Sequence, residues 1–285
     1  MTLLEAALLG LVQGVFMFVP VSSTGHLVLT QQWLTDRGSA LPPPDAPELI
    51  LFDLVVHVGT MLSVVVVLRR SLATLLRGAW RDLRARRAGN PGARGRYLRL
   101  LGLGLLCALV TGLLGWPISQ LGDVVFTAPM IIAGNLAITG AILWWTDTVG
   151  TRWRGLDGIT PAVAVAIGAA QAVALLPGLS RSGLTIAMAL LLGLRRRWAA
   201  EFSFFVAIPT IVGGSLLQAV IVATDDAPML VDGAAFAVGF VVAAIVGAVA
   251  LAGVLALLYR ARFRIFSVYV WLLAAAVASG LVVLV

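Results

Sequence analysis

Two long apolar runs in this chain are each broken in the middle by a short polar turn. The first covers 3–19, stops at Pro20-Val21-Ser22-Ser23-Thr24-Gly25, and resumes over 26–34. The second covers 159–176, stops at Pro177-Gly178-Leu179-Ser180-Arg181-Ser182-Gly183, and resumes over 184–194. Pro and Gly end a helix, so each run predicts two short helices around a turn. The setting is apolar: 60% of the 285 residues are hydrophobic and 12% charged, with mean hydropathy +1.03. A soluble domain has about 45–50% and about 25%, so soluble and disordered classes are both excluded. At membrane depth, irregular backbone survives only inside protein or beside a wet cavity. Both broken runs therefore read as re-entrant helical hairpins; the alternative is two ordinary spans joined by a loop.

The Arg residues test that reading. Six unbroken runs are long enough to cross: 50–68, 98–116, 125–145, 202–223, 234–258 and 265–285. The 20 basic residues are all Arg. One loop with its flanks, from Arg69 to Arg99, carries ten of them; Arg152 and Arg154, Arg195 to Arg197, and Arg260, Arg262 and Arg264 form three further groups. With two hairpins, all four groups fall on one side, which is then cytoplasmic. Only Arg37 and Arg181 are left over. Asp45, Glu48, Asp123, Asp225, Asp226, Asp232 and both termini then face outward. Topology accounts for the net charge of +7 without nucleic acid. Cys107, alone in an apolar run, allows no internal disulfide. No cleavable signal peptide is expected, since the first apolar stretch runs into the polar turn.

The hairpins enter from opposite sides, and they align. With Gln13 set on Gln171, Ser22 meets Ser180, Ser23 meets Arg181, Thr24 meets Ser182 and Gly25 meets Gly183. An acid heads the following span in each half, Asp53 and Glu201. The expected fold is an all-α polytopic membrane protein with six transmembrane helices plus two re-entrant hairpins. It forms one membrane domain, 1–285, as an inverted-topology repeat of about 1–148 and 149–285. Such folds aim half-helix N-termini at an anion near the midplane.

Arg181 in a bilayer needs a partner or an anionic ligand, since an unpaired Arg costs about 2.5–3.5 kcal/mol on insertion scales. Its forked donors suit phosphate oxygens, with Ser180, Ser182 and Thr185 adding hydroxyls. Gly178 and Gly183 offer backbone N–H groups where a helix starts. The bland alternative is a structural Arg paired with Glu201 or with a backbone carbonyl. In the first turn, Ser22, Ser23 and Thr24 stand close to His26. That allows a Ser–His nucleophile–base pair, attack by His26 itself, or proton donation; helix capping is the structural alternative. His57 reads equally well as a packed histidine or a cavity residue.

The motifs V-P-V-S-S-T-G-H-L, L-P-G-L-S-R-S-G-L-T, A-A-E-F-S-F and F-D-L-V-V-H-V-G-T resemble those of the BacA-type undecaprenyl-diphosphatase family over nearly the whole chain. The resemblance implies a multi-pass phosphatase of the bacterial plasma membrane with its site open to the outer face. It would hydrolyse undecaprenyl diphosphate to the monophosphate, for cell-wall lipid recycling and bacitracin resistance. Ser23, His26 and Arg181 match catalytic positions. Gln13, Ser22, Thr24, Gly25, Gly178, Ser180, Ser182, Gly183 and Thr185 stand with them as substrate-binding candidates. One position departs from the pattern. The family has Glu or Gln, three residues, then Glu before the first turn; here these are Gln13 and Met17. A carboxylate there would act as a base or hold a divalent cation; a thioether does neither. The implied Mg²⁺ or Ca²⁺ requirement therefore loses a ligand, with Asp53 and Glu201 as candidate supporting acids.

The expected partners are a polyprenyl (di)phosphate lipid and the membrane, and a homodimer is an open alternative to a monomer. A competing reading is a catalytically impaired homologue acting as a prenyl-phosphate carrier or flippase, favoured by the repeat and by Met17. An ion-coupled solute transporter explains the repeat but not the phosphate-suited turns.

Overall fold

A computed structural model describes residues 1–42, 46–89, 95–119, 129–150, 152–223 and 231–280. Eleven α-helices run through them: α1 Leu3–Phe16, α2 Ser23–Asp36, α3 Pro47–Val67, α4 Arg69–Arg87, α5 Arg96–Ser119, α6 Pro129–Thr148, α7 Pro161–Val173, α8 Arg181–Leu191, α9 Arg196–Ala223, α10 Gly233–Tyr259 and α11 Arg264–Ala278. Five of them, α3, α5, α6, α9 and α10, are long and apolar enough to cross a membrane. The expected sixth span is represented by the 15 residues of α11, and its end, 281–285, lies outside the described residues. So do Asp45, Arg94, Asp123, Asp225 and Asp226, whose expected sidedness is not described. The chain is a polytopic helical membrane protein.

Both broken runs form helix pairs. With 14 residues in α1 and in α2, 13 in α7 and 11 in α8, none is long enough to cross: at 1.5 Å per residue a span of about 30 Å needs about 20. α1 packs on α2 and α7 on α8, but their main supports lie across the sequence: α1 lies on α10 and α7 on α5. Small residues allow the close approach. A Cβ on Gly10 would sit 2.6 Å from the Gly239 carbonyl oxygen, and one on Gly168 2.6 Å from that of Cys107. Gly10 and Gly168 are the aligned positions three before Gln13 and Gln171. α10 offers a stripe of Ala235, Gly239, Ala243 and Gly247 at four-residue spacing, all buried, as membrane helix contacts favour. Further large contacts join α3 with α9 and α10, α8 and α5 with α9, and α6 with α11.

The segment after α3 departs from expectation. Read as an Arg-rich loop, 69–87 is a helix that starts directly at the end of α3, Leu68 closing one and opening the other. Its Arg residues mask an amphipathic period: Leu72, Leu75 and Ala79 share a face at three- and four-residue spacing. α5 pins that helix. Asp82 Oδ2 accepts from the backbone N–H groups of Tyr97 and Leu98 at 2.8 and 3.1 Å, and the Tyr97 ring fills the space above Gly78.

Candidate active site

The second turn is built around one left-handed glycine. Gly178 has φ +86, and a Cβ there would meet the Ile132 carbonyl oxygen at 2.7 Å, so the position requires glycine on both counts. α6 supplies the rest. Asn135 Nδ2 donates to the Pro177 carbonyl at 2.7 Å, Thr139 Oγ1 donates to that of Gly178 at 3.1 Å, and the same Oγ1 accepts from Ser180 N at 3.2 Å. Ser180 then caps α8, its Oγ accepting from Gly183 N at 3.2 Å. This order leaves Arg181 as the first residue of α8, with Ser182 beside it.

The first turn holds its shape by other means. Ser22 sits at φ 70, ψ 88, a left-handed conformation rare outside glycine, and its side chain does not cap α2. Its carbonyl instead accepts from His26 Nδ1 at 2.8 Å. Nε2 of the same ring lies 2.6 Å from the Tyr269 hydroxyl of α11, and the Phe16 ring stacks on it at 3.9 Å between centroids.

The turns meet around a polar cavity of about 160 Å³. Ser22, Ser23 and Thr24 line it from the first turn, Ser180, Arg181 and Ser182 from the second, and Met17 and His57 complete its polar wall. Six of the catalytic and substrate-binding candidates from the sequence thus come together. Others do not. His26, Gly25 and Gly178 line an adjacent apolar groove between α2, α6 and α11, which touches the cavity at Ser22. Thr185 is buried away from it, bonded to the Arg181 carbonyl and to the Ser203 hydroxyl. The Gly183 N–H is taken by Ser180, so it is not free to bind phosphate. Gln13 is fully buried and donates to Met17 Sδ at 3.5 Å.

The acids need correcting. Glu201 does not pair with Arg181; its Oε1 takes Arg197 Nε at 2.8 Å, one helical turn back, and it lines a separate cavity between α4, α5 and α9. Asp53 accepts from Gln31 Nε2 at 3.0 and 3.3 Å and does not line the polar cavity. Glu5 closes the capping box at the start of α1. Among the described residues no carboxylate pairs with Arg181. What faces it is Met17 Sδ, 3.3 Å from Nη2. A thioether is a weak acceptor without charge, so the cation is left to be matched by an anion.

His57 is the functional candidate that sequence reasoning left undecided. It stands on α3, more than thirty positions from Ser23, and no local motif tied it to the turns. A divalent cation fits this cavity poorly: its walls offer hydroxyls, one thioether and one imidazole but no carboxylate, whereas Mg²⁺ and Ca²⁺ favour carboxylate and carbonyl oxygen. Among the described residues no three His, Cys, Asp or Glu cluster as a metal site.

Comparison with known proteins fits this geometry. Residues 6–276 match the family model described as bacitracin resistance protein BacA. The chain is 54% identical to an undecaprenyl-diphosphatase from Alkalilimnicola ehrlichii, with 99% of this chain and 98% of the relative covered. It is 50% identical to one from Halorhodospira halophila and 34% identical to one from Moorella thermoacetica, with 98% of both partners covered in each case. A half-buried Arg stands between the two hairpin turns, and a match of this extent places the chain in the BacA family.

Proposed function

We propose that this protein is an undecaprenyl-diphosphatase, an integral-membrane hydrolase that converts undecaprenyl diphosphate and water to undecaprenyl phosphate and phosphate. The observation that carries the reading is Arg181: a cation without a carboxylate partner among the described residues, facing hydroxyls from two helix starts inside an apolar protein. A terminal phosphate supplies the missing charge. Arg181 binds its oxygens and stabilises the charge that builds up as the bridging P–O bond breaks. Ser182 and Thr24 add donors.

Ser23 is the nucleophile in this reading, because it lines the cavity and stands at the start of α2. Its oxygen attacks the terminal phosphorus and undecaprenyl phosphate leaves; water then cleaves the phosphoserine. His26 orders the turn, with one ring nitrogen on the Ser22 carbonyl and the other on Tyr269. The apolar groove beside it, between α2, α6 and α11, gives the prenyl chain a route away from the phosphates.

The protein sits in the bacterial plasma membrane with its Arg-rich segments cytoplasmic and the site open outward. Its halves, about 1–148 and 149–285, form an inverted repeat; the exchanged packing of α1 on α10 and α7 on α5 supports this. It recycles the lipid carrier of cell-wall synthesis and gives bacitracin resistance when overproduced. The test is phosphate release by the purified protein from a C15 or C55 prenyl diphosphate. Turnover well above an Arg181→Ala control is expected; turnover equal to that control would sink the reading.

A further inference from the structure

We infer that His57 is the proton acceptor of this site, in the role a carboxylate at position 17 would fill. The inference rests on the diphosphatase reading above and assigns it a catalytic residue. Three observations carry it.

First, among the described residues only two side chains lining the polar cavity can carry a charge, His57 and Arg181. An Arg guanidinium does not give up its proton in proteins. The hydroxyls are not bases on their own, and Met17 accepts no proton. That leaves His57.

Second, the imidazole is held in one tautomer. Its Nδ1 lies 2.6 Å from the Asp53 backbone carbonyl, one turn back on α3. A carbonyl oxygen only accepts, so Nδ1 carries the hydrogen. In the neutral ring the lone pair is then on Nε2, the nitrogen directed away from its own helix backbone. A bond from one ring nitrogen that sets the state of the other is how proteins prepare a histidine base. The groups around it keep their own partners: the Asp53 carboxylate is held by Gln31 of α2, and Thr60 Oγ1 bonds the His57 carbonyl at 2.6 Å. The same cavity is lined by Ser23 and Thr24 of α2 and by Arg181 and Ser182 of α8.

Third, the competing histidine is fully engaged. Both nitrogens of His26 have partners, Ser22 and Tyr269, and the ring faces the apolar groove. To act as a base there it would have to give up Tyr269.

The proton balance closes. His57 Nε2 takes the Ser23 hydroxyl proton as the Oγ–P bond forms and the bridging P–O bond breaks. The imidazolium gives that proton to the departing prenyl phosphate. Neutral again, it takes a proton from the water that attacks the phosphoserine, and returns it to Ser23 Oγ as phosphate leaves.

The experiment measures phosphate release from C15 prenyl diphosphate against pH for wild type, His57→Gln, His57→Ala and His26→Gln, all purified intact in detergent. His57→Gln is expected to lower kcat by about 10²–10⁴-fold, the usual worth of a positioned base, with a much smaller change in KM and loss of the acidic limb of the profile. His26→Gln keeps that limb. Added imidazole restores part of the His57→Ala rate, which requires a folded cavity. A second measurement needs no variant: diethylpyrocarbonate modification of wild type, mapped by mass spectrometry, follows loss of rate at His57 and is slowed by inorganic phosphate. A wild-type kcat and pH profile in His57→Gln overturns the inference, as does inactivation that tracks His26 alone. Absence of wild-type turnover overturns the diphosphatase reading and this assignment with it.

Discussion

Between Val173 and Arg181 the second turn is bolted to a neighbouring helix: Asn135 and Thr139 of α6 occupy its Pro177 and Gly178 carbonyls and its Ser180 N–H. Its one unusual dihedral falls on glycine, where it costs little. Between Phe16 and Ser23 the first turn puts its unusual dihedral on Ser22, and its tie to another helix runs through the His26 ring to Tyr269. One turn is relaxed and held through its backbone. The other is strained and held through a side chain. The relaxed turn presents Arg181, the charge that binds phosphate in the proposed reaction, for which a fixed position suffices. The strained one presents Ser23, which changes bonding in the proposed reaction, and strained dihedrals at functional sites commonly have such a role.

The largest effect expected is at the rigid turn's cation. Arg181→Ala should lower kcat/KM by at least about 10²–10³-fold, the usual worth of a preorganised donor to developing charge. Arg181→Lys should recover only part of it, because a point charge replaces a planar fork. Equal rates for Lys and Arg would mean that charge alone matters and the geometry of the turn does not. The bolt itself should show in stability. Thr139→Val removes a donor and an acceptor from a fully buried pair of backbone groups, at about 1–3 kcal/mol for each group left unsatisfied. Gly178→Ala adds a Cβ 2.7 Å from a carbonyl oxygen at a positive φ and should lower the thermal midpoint in detergent as well. If neither variant moves it, the second turn is not held as described.

Much of this arrangement was legible in the sequence because local chemistry decides it. Pro20, Pro177 and Gly178 interrupt two apolar runs, which predicts a helix pair in each; the Arg distribution then favours hairpins over ordinary spans. Ser180 stands out in the sequence as a phosphate-suited hydroxyl, whereas the structure uses it as the cap of α8. What was not legible depends on distance or on a masked period. His57 reaches the cavity only because α3 packs beside the hairpins, and nothing near it in the chain says so. Asn135 and Thr139 look like ordinary polar residues of a span until α6 is seen beside the second turn. Arg69–Arg87 looked like a loop because its charge hides a three-to-four spacing of Leu and Ala. The pairing of Glu201 is written in the sequence, since Arg197 lies four positions earlier on one helix.

Met17 sharpens the comparison at its centre, where the two turns meet. Its thioether faces Arg181 at 3.3 Å in a cavity without a carboxylate wall. The wild-type rate should therefore survive an excess of chelator. Met17→Glu places a hard oxygen ligand between the turns, and its rate should become dependent on Mg²⁺ or Ca²⁺. A wild-type rate abolished by chelator and restored by Mg²⁺ would show that the hydroxyls and the substrate's own phosphates are enough to hold a cation.

The smallest effect is expected at Ser22, and its sign is the informative part. A non-glycine residue in the left-handed region carries roughly 1–2 kcal/mol of strain, which Ser22→Gly removes. Glycine gives back about 0.5–1 kcal/mol through the greater freedom of the unfolded chain. The carbonyl that holds His26 is kept, and no helix cap is lost because the Ser22 side chain makes none. Stability should thus stay level or rise by up to about 1.5 kcal/mol, while turnover falls because Ser23 is placed less firmly. The thermal midpoint and kcat, measured on one preparation, should move apart. A fall in both would mean that the Ser22 hydroxyl, and not the dihedral, is what the first turn requires, and the contrast between a strained turn and a relaxed one would then fail.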